Sequence, residues 1–478
     1  MKLLDIFEKR IVLISLALFI MIYFVFFPSF FASIDEHEYI RNAYLLQKGT
    51  LVEKDASAAC TGKFNGDGYV NQYFIGRSLF LIPFTWFGLF GIMLSGLVLH
   101  LLNFFVFYKI LGKIGSEKKY SLFYLLYPAF FWSARTLNSE LFVLSGLLAG
   151  IYFYLSEGKK DWAISGLFFG ISVLGRYDAA IIVLPFILLP IIKNRQKLGC
   201  ILCGFLPVLA ILFLFNYAFY GGILSTGYGN PLNFVTRIFD NTWLLKSLIV
   251  HITILMIAYP LLLLSPLKAH RLRKEVIIAA ALYILFYSYN ADPSVYTFLS
   301  PVTFTGRLRY LIPVIGLLMI FYGNLYESAI KKIKLPEKRV FTLTILCLLA
   351  VYVAASFVHA KFLDDRYYVY NQLYSSTPDK SLLIGSGEVC TFVLPQLFGN
   401  RSYSDIGNKT INNFTGSGEY LVDIFYSTVD PSTHRGGLVA SSSKEVTSFI
   451  EENKGSLIQV FNSTKPHKLG VYKIVGSG

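Results

Sequence analysis

Charge is what this sequence has least of. Asp, Glu, Lys and Arg make up 15% of its 478 residues against 55% hydrophobic ones, whereas soluble domains carry about 25% charged residues. That shortage excludes a wholly soluble protein and puts most of the chain in lipid. Within the apolar runs ionisable groups are scarcer still: essentially only His100 and His251 fall there. Ion-coupled transporters usually carry such groups inside their spans, so their scarcity counts against that class, and the two histidines read as hydrogen-bonded bundle residues rather than proton relays. No nucleotide-sugar motif, internal repeat or low-complexity tract stands out. The five cysteines decide little. Cys200 and Cys203 form a CxxC inside an apolar run, where a redox or metal motif lacks its polar setting and small core residues are expected. Cys60 and Cys390 both fall on the expected outer face, where a disulfide is open but not demanded by spacing.

What is present is a series of long apolar runs, the first of which, from Ile11 to Ile34, contains no charge. It is too long for a signal-peptide core and lacks a small-residue cleavage site, so it reads as a membrane span. The net charge of +14 is no sign of nucleic acid, because the basic residues sit in short clusters between spans. These are Lys109 to Lys119, Lys159 and Lys160, Lys193 to Lys197, Lys268 to Lys274, and Lys331 to Arg339. Every second loop is therefore basic. The positive-inside rule then gives about eleven spans, with the N-terminus cytoplasmic and the C-terminus outside.

The expected architecture is mostly α: a polytopic membrane helix bundle over residues 1–360 and a small extracytoplasmic α/β domain over 361–478. In that second part the apolar runs shrink to strand length while Gly, Ser, Asn and Asp become frequent. Ser381 to Ile384 and Leu457 to Phe461 read as buried strands, and Lys444 to Glu452 as an amphipathic helix. Its three sequons, at Asn408, Asn413 and Asn462, agree with an external location.

The candidate site lies where spans emerge on the outer face. After the first span come Ser33, Ile34, Asp35, Glu36, His37, Glu38 and Tyr39. Ser33 and Glu36 have the spacing of a capping box, and Asp35 suits the positive end of a helix. Capping alone does not ask for an acid beside lipid headgroups, so both carboxylates are also candidates for chemistry. The following helix reads as interfacial, with Arg41 on its polar side. Further outer-face residues are Arg135, Asn138 and Glu140; Arg176, Tyr177 and Asp178; Arg237 and Asp240; and Arg307, Arg309 and Tyr310. A single arginine at a span end snorkels to lipid phosphate more often than it binds substrate. Here many of them share a face with acids.

Such a set suits transfer from a lipid phosphate. An ionised carboxylate accepts the proton of an attacking hydroxyl, a role for Asp35. Fixed guanidinium groups, Arg176, Arg307 and Arg309, stabilise charge on a departing phosphate. Glu36 and Glu140 hold sugar hydroxyls or position the acceptor, and Arg41 and Tyr310 complete the substrate-binding candidates. Asp35, Glu36, His37 and Glu38 resemble a metal-ligand run, but adjacent helical residues point about 100° apart and cannot all grip one ion. No cofactor is assigned, and a divalent metal stays open.

In their order these features resemble the GT-C glycosyltransferases, in particular the branch of protein O-mannosyltransferases and the lipid A aminoarabinose transferase. The motifs are Asp35-Glu36 at the end of the first span, Gly76 to Phe84, Ser139-Glu140, Gly175-Arg176-Tyr177-Asp178, and Arg309-Tyr310-Leu311-Ile312-Pro313. The resemblance covers about the first 325 residues. It implies an inverting enzyme with a polyprenyl- or dolichyl-phosphate sugar as donor and Asp35 as general base, acting on a protein, glycolipid or polysaccharide acceptor outside the cell membrane. The rival readings are a lipid-linked glycan flippase or transporter, and a polymerase or ligase using a lipid-diphosphate donor.

Overall fold

A computed structural model describes residues 2–54, 62–190, 194–227, 244–268, 271–290, 308–385, 387–390, 392–394, 397, 401–405, 418–425, 444–463 and 468–475. Arg237, Asp240, Arg307, Asn408, Asn413 and Cys60 lie outside them.

The chain is mostly helical. In order come α1 (Lys2–Val25), α2 (Ile34–Gln47), α3 (Ile75–Thr85), α4 (Gly88–Lys113), α5 (Ser121–Leu125), α6 (Pro128–Ala134), α7 (Glu140–Tyr154), α8 (Lys159–Gly175) and α9 (Ala179–Leu188). There follow α10 (Arg195–Tyr220), α11 (Leu244–Ala258), α12 (Arg273–Asn290), α13 (Ile312–Ile333), α14 (Glu337–Ser376), α15 (Gly387–Cys390) and α16 (Lys444–Glu452). Four of them, α4, α10, α13 and α14, are long and apolar enough to cross a membrane, or five spans if Leu244–Ile257 and Leu262–Lys268, bent by 75°, count as one. This is a multi-pass membrane protein, but not every one of the expected eleven spans is a helix of spanning length. The expected third span, over residues 119–132, is interrupted between α5 and α6, because Pro128 starts a new helix rather than continuing the old one. At about 1.5 Å per residue neither piece crosses the hydrocarbon alone.

The chain divides into two compact units. The first comprises Met1–Phe27, Phe74–Arg77 and Leu94–Val358. Its tightest packing joins α8 to α7 and α10. A Cβ on Gly166 would lie 1.9 Å from the Ile201 carbonyl oxygen, and one on Gly204 would lie 1.8 Å from that of Ala163, so backbone meets backbone as small residues permit in lipid. Ser165 and Ser172 of α8 donate to the carbonyls of Gly150 and Val143 at 2.8 and 3.1 Å. Both bundle histidines are engaged as expected: His100 with the Leu125 carbonyl at 3.1 Å and His251 with the Ser288 hydroxyl at 3.1 Å. Leu206, Ile211 and Leu214 of α10 stay exposed, an apolar face suited to lipid. Cys203, expected in a core, is on an exposed side of α10, and Cys200, Cys203 and Cys347 are free thiols. The helix is apolar all round, so sequence alone cannot say which side faces inward.

The second unit comprises Pro28–Tyr73, Ser78–Met93 and His359–Gly478. It holds a five-stranded sheet of β4 (Leu382–Gly385), β5 (Ser402–Asp405), β6 (Glu419–Phe425), β7 (Leu457–Ser463) and β8 (Lys468–Ile474), and an antiparallel three-stranded sheet of β1 (Val52–Glu53), β2 (Gly62–Phe64) and β3 (Tyr69–Asn71). The order in the larger sheet is β5-β4-β6-β8-β7, with β4 parallel to both neighbours and the other pairs antiparallel. Val446 and Phe449 of α16 pack on Ile384, Leu421 and Ile474, as the amphipathic pattern requires. The strand at Leu457 is present but not buried: β7 is an edge strand, with Ile458 and Val460 57% and 44% exposed. A short apolar run fits an edge as well as a core when only one face is covered. The first loop also belongs to this unit, so the chain around Asp35 is packed with the C-terminal residues. His37, fully buried, lies 2.9 Å from the Val393 carbonyl oxygen. Arg366 donates to the Phe31 carbonyl at 3.1 Å, and Phe30 stacks with Tyr370 and Phe392. Cys390, nearby in sequence, is disulfide-bonded.

Candidate active site

In the first unit α7, α9 and α13 begin, and α8 and α12 end, at one end of the bundle, while the lysine clusters sit at the opposite helix ends. Lys159 and Lys160 open α8, and Lys331 and Lys332 close α13. At the first end six of the expected outer-face residues meet. Glu140, at the start of α7 and 1% exposed, accepts from Arg176 Nη1 at 3.0 Å and faces Arg309 Nε at 3.5 Å. Arg309 also donates to Asn138 Oδ1 at 3.3 Å and to the Tyr310 hydroxyl at 2.9 Å.

Arg176 follows α8 in extended backbone, which turns its side chain across the bundle end. Its Nε donates to Asp178 Oδ1 at 3.0 Å and its Nη2 to the Tyr287 hydroxyl at 3.1 Å. Asp178 Oδ2 in turn accepts from Tyr283 at 3.2 Å and from Tyr287. The guanidinium lies 5.2 and 5.4 Å from the ring centres of Phe74 and Tyr310, and the Tyr287 and Tyr310 rings stack at 5.4 Å. Two carboxylates thus balance two guanidiniums. An isolated buried carboxylate costs several kcal/mol, and only such pairing and hydrogen bonding offsets it.

Two separated motifs are joined by their main chains. A Cβ on Gly76 would come within 2.8 Å of the Gly175 backbone, so neither a side chain nor a gap separates the start of α3 from the end of α8. Val143, Val173, Ala179 and Leu212 form an apolar cluster around the roots of these helix ends. Arg77 and Arg135, each 1% exposed, tie the frame together. Arg77 donates to the Leu137 carbonyl at 3.0 Å and Ser95 Oγ at 3.2 Å, and Arg135 donates to the Phe26 carbonyl. Arg135, expected at the outer surface, is therefore a buried strut.

In the second unit Asp35 is half-buried in the first turn of α2 and hydrogen-bonds Tyr73. Burial and this carboxylate together push the Tyr73 phenol above its usual range. Glu36 takes the capping role: its Oε1 accepts from the Ala32 amide at 3.1 Å and from Ser33 Oγ at 3.3 Å. Arg41 departs from expectation. It is 1% exposed and pairs with Glu38 at 2.7 Å rather than lying open to substrate. The whole of α2 from Glu36 to Ala43 is buried, because an ion pair one turn apart and Asn71, which donates to the Glu38 backbone carbonyl at 3.1 Å and to its carboxylate, let charged residues turn inward. Burial works to raise the Glu38 carboxyl, and Arg41 with His37 outweighs it, so the group sits below its ordinary range.

These contacts also bear on a metal. Glu38 is held by Arg41 and Asn71, and His37 by a carbonyl, so the run from Asp35 does not fit a divalent-ion site. Among the described residues no three His, Cys, Asp or Glu side chains gather around one point.

Sequence reasoning missed Tyr283 and Tyr287. Their spacing of four sets both hydroxyls on one face of α12, which is the only local signal they carry. Asp178 stood among the outer-face residues without a role, and its role is to bridge Arg176 to this tyrosine pair.

No protein-family model and no curated protein sequence matches the chain. Among solved structures it is similar to ArnT from Cupriavidus metallidurans in the apo state, with a TM-score of 0.62 and 12% identity over 97% of this chain and 98% of that one. Arabinofuranosyltransferase AftD from mycobacteria overlays with a TM-score of 0.48 and 13% identity, covering 98% of this chain and 42% of its own. The ArnT match shows that the chain has the GT-C fold to which the motifs point.

Proposed function

We propose that this chain is an inverting membrane glycosyltransferase that uses a polyprenyl- or dolichyl-phosphate sugar. The observation that carries the reading is the Glu140–Arg176–Arg309 cluster on a GT-C fold. An acceptor hydroxyl oxygen attacks the anomeric carbon, its proton passes to the Asp35 carboxylate, and the bond from that carbon to the phosphate oxygen breaks with its electron pair left on the phosphate. The lipid phosphate is the leaving group, and inversion follows from attack opposite it.

Arg309 and Arg307 are the proposed phosphate ligands. Arg176 is the less suitable of the described pair, since it is less exposed than Arg309, 14% against 21%, and already spans Glu140, Asp178 and Tyr287. Its part is to hold the cluster rigid, so that positive charge stands ready for the departing phosphate without reorganisation. Tyr310 and Phe74 offer ring faces beside it, and Glu140 is placed to hold a sugar hydroxyl. Glu36 supports Asp35 by fixing the start of α2, and Arg41 supports it through Glu38. The acceptor is a protein, glycolipid or polysaccharide hydroxyl.

The proposed topology has residues 1–360 as the catalytic membrane module, its N-terminus cytoplasmic, and 361–478 as an extracytoplasmic domain. Supporting it are the lysines at the helix ends opposite the cluster, as the positive-inside rule asks. The reaction is tested with purified protein and radiolabelled polyprenyl-phosphate sugars. Asp35→Asn is expected to lose about 10²- to 10⁴-fold in turnover, the usual contribution of a general base, with its melting temperature kept. A folded Asp35→Asn variant that transfers at the wild-type rate removes the assignment.

A further inference from the structure

At the end of the first unit away from the Glu140 cluster, the end of α7, the start of α8, the end of α9 and the starts of α10 and α12 enclose a cavity of 330 Å³. Its lining combines Lys197, Arg271, Glu157 and Glu275 with the indole of Trp162 and the apolar Leu189. Arg271 and Glu157 are exposed, while Lys197 and Glu275 are partly buried. Among the described residues no salt bridge joins these four, and the charge of Glu275 acts on Lys197 from a distance. Arg271 and Glu157 make no hydrogen bond there, and Glu275 accepts only the Tyr154 hydroxyl, at 3.4 Å. Lys197 Nζ donates to the Tyr154 carbonyl at 2.8 Å and lies 3.3 Å from the centre of the Tyr154 ring, which leaves one of its three N–H groups for another acceptor. Trp162 is anchored by its own N–H to the Ser156 carbonyl at 2.7 Å, as an interfacial tryptophan is when one end meets lipid and the other water.

Two cations and two carboxylates around one cavity, beside an anchored indole at the end of a membrane bundle, are complementary to a ligand that carries both signs. We propose that this cavity binds the headgroup of an aminophospholipid, a phosphate diester bearing a primary ammonium. Lys197 and Arg271 take the phosphate oxygens, Glu275 and Glu157 take the ammonium, and Trp162 and Leu189 line the way to the acyl chains. Basic pockets between helices bind purely anionic headgroups; the two carboxylates set this one apart. The site does not depend on the transfer reaction or on the residues assigned to it.

The test uses the full-length protein in nanodiscs containing phosphatidylethanolamine, phosphatidylglycerol and phosphatidylcholine in equal parts, with retained lipids counted by native mass spectrometry. Phosphatidylethanolamine is expected to be retained over each of the others by about tenfold, the ratio that 1.4 kcal/mol provides. Arg271→Ala and Glu275→Gln are each expected to bring that ratio close to one without lowering the melting temperature. Equal retention of the three lipids by the wild-type protein overturns the proposal, as does a preference that survives both variants. Soluble phosphoethanolamine distinguishes the source: if it displaces the retained lipid at matching concentrations, the ligand is a free amino-phosphate and the lipid assignment falls.

Discussion

Glu140 meets Arg176 across 36 residues of sequence, and Arg309 reaches Asn138 across 171, whereas Glu38 meets Arg41 within one turn of α2. The first cluster exists only because five helix ends are packed together; the second is set by helical spacing and held from outside α2 by Asn71. Both bury their carboxylate to 1% exposure or less, yet they respond differently to damage. Loss of one member of the long-range cluster strands charges that no local backbone geometry can regroup. In α2 the remaining partners stay neighbours whatever happens elsewhere.

The sharpest way to break the contrast is Glu140→Ala, which leaves two guanidiniums facing each other's field without their shared anion. Loss of one partner from a buried ion pair costs about 3–5 kcal/mol, and a fall of that order is expected in detergent-solubilised protein followed by thermal or denaturant unfolding. A loss below about 1 kcal/mol, the worth of an exposed pair, would show that water reaches the cluster freely. Arg309→Ala comes next. Donor affinity is expected to fall by about ten- to hundredfold, the worth of a charge-assisted hydrogen bond of 1.5–3 kcal/mol, with a smaller change in stability. Titration with a polyprenyl-phosphate sugar reads the first quantity and melting the second. Unchanged affinity tells against a phosphate role.

The local cluster is probed by pH. Because the folded Glu38 carboxyl lies below its ordinary value of 4.5, its contribution is fully present above pH 4.5 and is lost as the pH falls through the folded value. Melting temperatures of wild type and Glu38→Gln, measured from pH 7 downward, should differ least at the acid end. Parallel curves would show that Glu38 contributes nothing to the acid response. Tyr287→Phe carries the smallest effect. It removes one hydroxyl from Asp178 and Arg176 and is expected to cost about 1.5 kcal/mol, the low end for a hydrogen bond to a charged group, since Tyr283 still holds Asp178.

The legible part of this molecule follows the same division. Glu140, Arg176, Arg309 and Tyr310 stood out in the sequence because polar residues at the ends of apolar runs have few other reasons to be there, and alternating basic loops put those ends on one face. Tyr283 and Tyr287 were hidden because a tyrosine inside an apolar run reads as core, and its hydroxyl counts only once a partner such as Asp178 is known to sit opposite. Arg41 misled for the converse reason: a charge on an interfacial-looking helix reads as solvent-facing until Asn71, from a strand, closes over its partner. Lys444 to Glu452 is a helix with the bounds its amphipathic pattern gave. The strand at Leu457 was readable as a strand but not as an edge, since strand order depends on pairings that sequence separation does not reveal.

The contact between Gly76 and Gly175 has a consequence for anyone who would put a side chain there. Because main chain rests on main chain there, the backbones that carry Phe74 and Arg176 are held at one separation, and their side chains meet from fixed roots. A cysteine introduced at either glycine as an anchor for a label would act as a wedge, so spectroscopic reporters of this region belong on Leu79 or Leu167, both of which are exposed.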